Sequence, residues 1–181
     1  MNNPRINTRK LALAAIVGAA YAALTIGLQP ISYGTVQFRV SEVLCILPYF
    51  VPCTAWGLFV GCAIANLFGG GVLDIVFGSL ATLGAALLTA WLGRKKHTMG
   101  NSILACLMPV LFNAVIVGAV LTALFAVEGE IVNPLKHLGF YAATAASVGF
   151  GELVVLFVLG LPLMRWLPKQ SFFNTQIEKF Q

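Results

Sequence analysis

Four stretches free of charged side chains, Leu11–Phe38, Val43–Leu73, Ile75–Gly93 and Thr98–Val127, constrain this chain more than any other feature. Each approaches or exceeds the roughly 20 apolar residues that an α-helix needs to cross the hydrocarbon core of a bilayer. The runs are continuously apolar and not alternating, which excludes a β-barrel. Charged residues make up 9% of the chain and the mean hydropathy is +0.91, whereas soluble domains carry about 25% charged residues. The chain therefore reads as an all-α polytopic membrane protein with no room for a soluble domain. It forms one domain over residues 1–181, with Ser171–Gln181 as a polar cytoplasmic tail. The basic N-terminal segment precedes an apolar run longer than a signal peptide's, so that run is expected to be a retained helix.

The number of crossings follows from charge. The run Val43–Leu73 contains Pro48 and Pro52. Read as one helix, it gives five crossings and puts Arg94, Lys95 and Lys96 opposite Arg5, Arg9 and Lys10. Split at Pro52, it gives six, with both termini and the Arg94–Lys96 cluster on one side. Nine of the eleven Lys and Arg then share that side, and only Arg39 and Lys136 lie on the other. An excess of Lys and Arg marks the cytoplasmic face, so a six-helix bundle with both termini cytoplasmic is expected.

The predicted helices cover Lys10–Leu28, Ser41–Val51, Cys53–Phe68, Val72–Gly93, Ser102–Val127 and Leu135–Leu167. Outer connections run through Gln29–Val40, Gly69–Gly71 and Glu128–Pro134. The second helix is short for a full crossing, which places its ends in protein rather than lipid. Gly34 and Gly69–Gly71 permit movement of the first outer loop, because glycine relaxes backbone restrictions.

Within so apolar a chain the polar residues are conspicuous. Gln37, Phe38, Arg39 and Glu42 fall where the first outer loop meets the second helix, and Asn66 and Asp74 flank the glycine turn. Asn113 and Glu152 lie nearer the middle of the fifth and sixth helices. An ionisable group in the membrane is costly without a partner or ligand, so several at similar depth point to a shared outer cavity. Asn66 and Asn113 also suit plain interhelical hydrogen bonds, and Asp74 suits a helix N-terminus. Arg39 is expected to hold Glu42 or Asp74 in place. Tyr33, Phe38, Phe68, Phe77, Phe140 and Tyr141 are available to stack on a planar ring, or else form an interfacial aromatic belt.

Other chemistry is excluded. The four cysteines lack a paired spacing and read as small buried thiols. His97 and His137 are predicted on opposite sides of the membrane and cannot share a metal. Gly69–Gly71 lacks the Lys and Ser/Thr of a phosphate loop, so the chain itself is expected neither to bind ATP nor to need a cofactor. The net charge of +5 follows from topology and calls for no nucleic acid. The first helix carries two small-residue rows, Ala15–Ala19–Ala23 and Ala14–Gly18–Ala22, a pattern that lets another helix approach closely. The two adjacent rows are expected to make one smooth surface.

Six short-looped helices, a small-residue first helix and an outer polar site resemble the S components of energy-coupling factor (ECF) transporters. The stretches Val36–Glu42, Ala65–Gly71 and Asp74–Thr82 resemble the QueT branch in particular. The resemblance implies a bacterial plasma-membrane subunit that captures a queuosine precursor, a 7-deazaguanine, outside the cell. It implies a partner module of a transmembrane coupling subunit and two ATPases, docked on Ala15, Ala19 and Ala23. It also implies occlusion by the first outer loop and release as the bundle topples in the membrane. From the positions of the polar and aromatic residues, the candidate ligand set is Gln37, Phe38, Arg39, Glu42, Asn66, Asp74, Asn113, Phe140, Tyr141 and Glu152, with Glu152 or Glu42 expected to read the guanine edge and Asn113, Asn66 and Gln37 to support it. Independently, a carboxylate suits the two donors of an amino-pyrimidinone edge, and an aminomethyl substituent would call for a second acid. An S component for another vitamin, or a self-sufficient proton- or cation-coupled transporter using Asp74 and Glu152, is the alternative.

Overall fold

A computed structural model describes residues 7–33, 37–95, 98–127, 134–171, 173 and 175. The expected hinge at Gly34, the loop 128–133 and most of the polar tail lie outside the described residues. All regular elements among the described residues are helical. They are α1 (Thr8–Gly27), α2 (Gln29–Ser32), a 3-10 helix (Val40–Tyr49), α3 (Thr54–Gly69), α4 (Ser79–Gly93), α5 (Met99–Val127), α6 (Pro134–Val155) and α7 (Leu161–Trp166). Single π-helical turns, Asp74–Gly78 and Leu156–Gly160, lead into α4 and α7. Four helical stretches are long and apolar enough to cross a membrane, namely Thr8–Gly27, Asp74–Gly93, Met99–Phe125 and His137–Lys169. Val40–Tyr49 and Thr54–Gly69 are shorter apolar helices.

The expected break near Pro52 is present: one helix ends at Tyr49 and the next begins at Thr54. The expected second α-helix, however, is a ten-residue 3-10 helix. Its 2.0 Å rise per residue stretches ten residues over about 20 Å, against about 15 Å for an α-helix. The short segment thus reaches further than its residue count implies. No residue of it is exposed, and it touches α1, α3, α4, α5, α6 and the Leu156–Gly160 turn. It is the central strut of the bundle. A further departure is α2, a short helix inside the predicted outer loop, with Pro30 in its first turn where its missing N–H costs nothing.

Contacts between helices fix their relative directions. Thr25 meets Ser41 and Tyr21 meets Glu42, so the 3-10 helix runs against α1. Ala14 abuts Gly57 and Gly18 abuts Gly61, so α3 runs with α1. Thr82 meets Cys62 while Asp74 meets Asn66, which turns α4 back. Thr89 reaches Ala105 on α5, and α6–α7 returns with Glu152 on Asn113 and Met164 on Cys106. Lys10, Phe50, Arg94, Met99, Arg165 and Phe173 therefore gather at one end. Tyr33, Gly69, Phe125 and Phe140 mark the other.

Helix 1's two small-residue rows do different jobs. Ala14, Gly18 and Ala22 are buried, whereas Ala15, Ala19 and Ala23 are exposed. The expected single smooth surface is corrected accordingly, because the first row is consumed by internal packing on Gly57 and Gly61. A β-carbon at Gly18 would lie 2.6 Å from the Gly57 carbonyl oxygen, and one at Gly57 would overlap the Ala14 carbonyl. Close backbone approach of this kind holds helices together where lipid gives no hydrophobic drive between them. Gly57→Leu is expected to separate α1 from α3. The yield of monodisperse protein after detergent extraction should fall severalfold, and an unchanged yield would contradict this packing.

Candidate functional site

The polar residues singled out from the sequence do converge, but in two layers with distinct characters. In the first layer, Glu42 is fully buried in the 3-10 helix. Its Oε1 accepts a short hydrogen bond from the Tyr21 hydroxyl, and its Oε2 accepts from the Cys45 thiol at 2.9 Å. Both oxygens are thus engaged by protein donors. Glu42 and Cys45 meet because residues three apart eclipse on a 3-10 helix. Beside them Thr25 and Ser41 share a hydrogen bond of 2.6 Å.

Arg39 pairs with Asp74 rather than with Glu42. Its Nη2 lies 3.5 Å from Asp74 Oδ2, and its guanidinium stands 5.1 Å from the centre of the Tyr33 ring. Asn66 braces the same corner. It donates to the Asp74 backbone carbonyl at 2.9 Å and accepts from the Tyr33 hydroxyl at 3.1 Å. The Tyr33 hydroxyl also points at the Ala65 carbonyl, and its ring covers Gly69, where a side chain would collide with it. Gly69 and Gly70 therefore serve close approach: a β-carbon on Gly70 would crowd Asp74 and Asn66. Burial raises the Tyr33 phenol above its ordinary pKa, so it remains a neutral donor at physiological pH.

The second layer is the pair Asn113–Glu152, joined across α5 and α6 by Asn113 Nδ2 donating to Glu152 Oε1 at 2.9 Å. Both residues are 2% exposed. One residue before Glu152, Gly151 lets the Gln37 backbone carbonyl pack directly on α6.

Several polar atoms of this cluster lack a hydrogen-bond partner among the described residues. Arg39 Nε and Nη2, Asp74 Oδ1, Asn113 Oδ1 and Glu152 Oε2 are buried without a hydrogen-bond partner among the described residues, as is Ser32 Oγ. A buried polar group left unpaired costs about 1–3 kcal/mol, more when charged. Both donors and acceptors are among these atoms, so the cluster holds unsatisfied polar capacity inside the bundle. A cavity of about 450 Å³ is lined by Tyr33, Gln37, Phe125, Phe140, Thr144 and Val148, among others; it meets the cluster through Tyr33, which neighbours Arg39 and Asn66, and is not lined by Arg39, Asp74, Asn113 or Glu152. Such a volume matches small-molecule sites.

The aromatic residues divide. Tyr33 and Phe140 line the cavity, Phe140 packing edge-on to Phe125 at 5.0 Å. Phe38 is half-buried and packs edge-on to Phe150 at 6.4 Å. Tyr141 lies off the cavity, its hydroxyl directed at the Val115 carbonyl. Phe68 and Phe77 are exposed on the outside of the bundle, where an aromatic belt belongs. Tyr21, Thr25 and Cys45 join the network beside the polar stretch that holds Ser41 and Glu42. Tyr21 and Thr25 sit four apart, on one helical face, and that spacing was the available signal. Among the described residues no group of His, Cys, Asp and Glu is placed to hold a metal ion.

Comparison with known proteins addresses the whole chain. A family model described as QueT transporter matches residues 11–169. The chain belongs to the QueT family. Within it, the chain is similar to a curated relative from Lactococcus lactis subsp. cremoris (strain MG1363), named Queuosine precursor transporter QueT. The two are 42% identical over 71 residues, a stretch that covers 38% of this chain and 42% of the relative. The chain thus aligns with less than half of that relative's length. No solved structure matches. QueT membership and the apolar helices together make this a multi-pass membrane protein of a transporter family.

Proposed function

We propose that this QueT-family protein is the substrate-capturing S component of an ECF importer and that it binds a 7-deazaguanine queuosine precursor. The observation that carries this reading is the buried Asn113–Glu152 pair, which keeps one acceptor on each residue unused. These two free acceptors suit the ring N–H and exocyclic amine of an amino-pyrimidinone edge. The Arg39 Nε–H, which has no hydrogen-bond partner among the described residues, suits its carbonyl. Tyr33 and Phe140 line the adjoining cavity as partners for the ring face. Glu42 and Asn66, saturated by protein partners, act as the frame.

The alternating helix directions support six crossings, and the basic end carrying Lys10, Arg94, Lys95, Arg165 and Lys169 supports a cytoplasmic face there. Capture is then from outside, with α2 and Tyr33 over the entrance. The exposed row Ala15, Ala19 and Ala23 is free for a coupling subunit, with ATP hydrolysis left to separate ATPases. A panel of preQ0, preQ1, queuine and unrelated vitamins, titrated onto purified protein, tests the substrate class. Tight binding of another vitamin alone would assign a different S component. Ala19→Trp should abolish uptake while leaving precursor binding intact. Uptake that persists without the ATPase module and collapses with the proton gradient would instead indicate a self-sufficient transporter.

A further inference from the structure

A second recessed site lies at the opposite, basic end of the bundle, remote from the polar cluster. Two adjoining hollows, each of about 420 Å³, share Pro52, Cys53, Ala90 and Arg94 and so form one continuous groove. Its floor is set where the Tyr49 backbone carbonyl presses on Gly93, a contact that leaves no room for a side chain. One half is lined by Lys10 and Arg94, the other by Trp56, Leu87 and Trp91. Trp56 and Trp91 are each more than half exposed, and Leu87 is exposed beside them. Lys95 stands against the Trp91 ring, its ammonium 3.5 Å from the ring centre.

The charge of this groove is unbalanced. Glu42, Asp74 and Glu152 are the acids among the described residues, and all three are buried in the polar cluster. The single ion pair among the described residues is Arg39–Asp74. Lys10 and Arg94 thus face the groove without a described carboxylate, while its other half is apolar and aromatic. A ligand that fits carries an anionic head and long apolar tails. Basic pockets between membrane helices take phospholipid headgroups in this way, and tryptophan favours the level of the headgroups.

We propose that this groove binds an anionic phospholipid, with Lys10 and Arg94 on the headgroup phosphate and Trp56, Leu87 and Trp91 along the acyl chains. The proposal rests on the basic end lying at a bilayer surface, as in the topology above. It does not depend on the identity of the transported solute.

The chain has three tryptophans, so Trp166→Phe leaves only the two that line the groove. That protein is reconstituted in phosphatidylcholine vesicles containing brominated phosphatidylglycerol or brominated phosphatidylcholine, and tryptophan quenching is compared. Two cations close to an anionic headgroup predict a preference for phosphatidylglycerol on the order of tenfold. Added Lys10→Gln and Arg94→Gln should reduce it to near unity, whereas Lys169→Gln, outside the groove, should leave it intact. Equal quenching by the two brominated lipids in the parent overturns the proposal and leaves the topology standing. Absence of quenching by either lipid contradicts the topology itself. Reversal by inorganic phosphate, beyond that caused by chloride of equal ionic strength, would make this a free-anion site and also overturn the lipid assignment. So would absence of lipid preference combined with loss of ATPase-module assembly in the double variant, which would assign the groove to a protein partner.

Discussion

Glu152→Gln is expected to weaken precursor binding on the order of a hundredfold while leaving the protein folded. Hydrogen bonds to charged groups contribute about 1.5–3 kcal/mol each. The substitution replaces one carboxyl oxygen by an amide group, whose N–H would face the ligand's own donors. Asn113 continues to bond the retained side-chain oxygen, so α5 and α6 stay joined where they now meet at 2.9 Å. Calorimetric titration with the tightest-binding precursor, paired with a thermal melt in the same detergent, separates affinity from folding. Affinity within threefold of the parent would remove Glu152 from the recognition surface. Glu42→Gln makes the internal contrast. Both Glu42 oxygens already accept from Tyr21 and Cys45, so its main cost should be to stability, not to affinity.

The second large effect concerns Arg39, which is 2% exposed and pairs with Asp74. Arg39→Met should destabilise the protein by about 3–5 kcal/mol, because removing one member of a buried pair strands the other charge. In a chain of this size that corresponds to a fall in Tm of about 10 °C. Adding Asp74→Asn to the same protein should recover much of the loss, since no isolated carboxylate then remains. If the double variant is as unstable as the sum of the single ones, the two side chains are not coupled, and Arg39 holds something else.

Much of this arrangement can be read from the residues in order. Pro48 and Pro52 mark the break before α3, the glycine turn marks the return into α4, and the distribution of Lys and Arg separates the ends. Glu42, Asp74, Asn113 and Glu152 stand out because a charge or amide in an apolar run needs a reason. What escaped reading has a common cause. A segment such as Val40–Tyr49 is enclosed by protein on every side, so no solvent-facing stripe reveals a period from which 3-10 and α geometry can be told apart. Tyr21 and Glu42 are 21 positions apart, and no local spacing announces a bond between separate helices. Two equivalent small-residue rows on α1 give no hint of which one faces inward. Gly57 and Gly61 on α3 decide that, through contact and not through sequence. Phe68 and Phe77 show the converse problem, since residues equally suited to a binding wall and a lipid boundary are sorted only by exposure.

The central 3-10 helix also governs how the bundle can vary. With three residues per turn, Glu42, Cys45 and Pro48 form one straight file, and all three are buried. A single inserted or deleted residue upstream of Glu42 would turn this file by about a third of a revolution. Tyr21 would then face Val43 after a deletion or Ser41 after an insertion, and the carboxylate would lose its Tyr21 donor. An α-helix spreads such an error over faces that drift past one another, but a three-sided column has only three settings. Length changes in the preceding loop are therefore tolerable only up to the point where the column begins, because from Val40 onward the register is as constrained as the thread of a bolt.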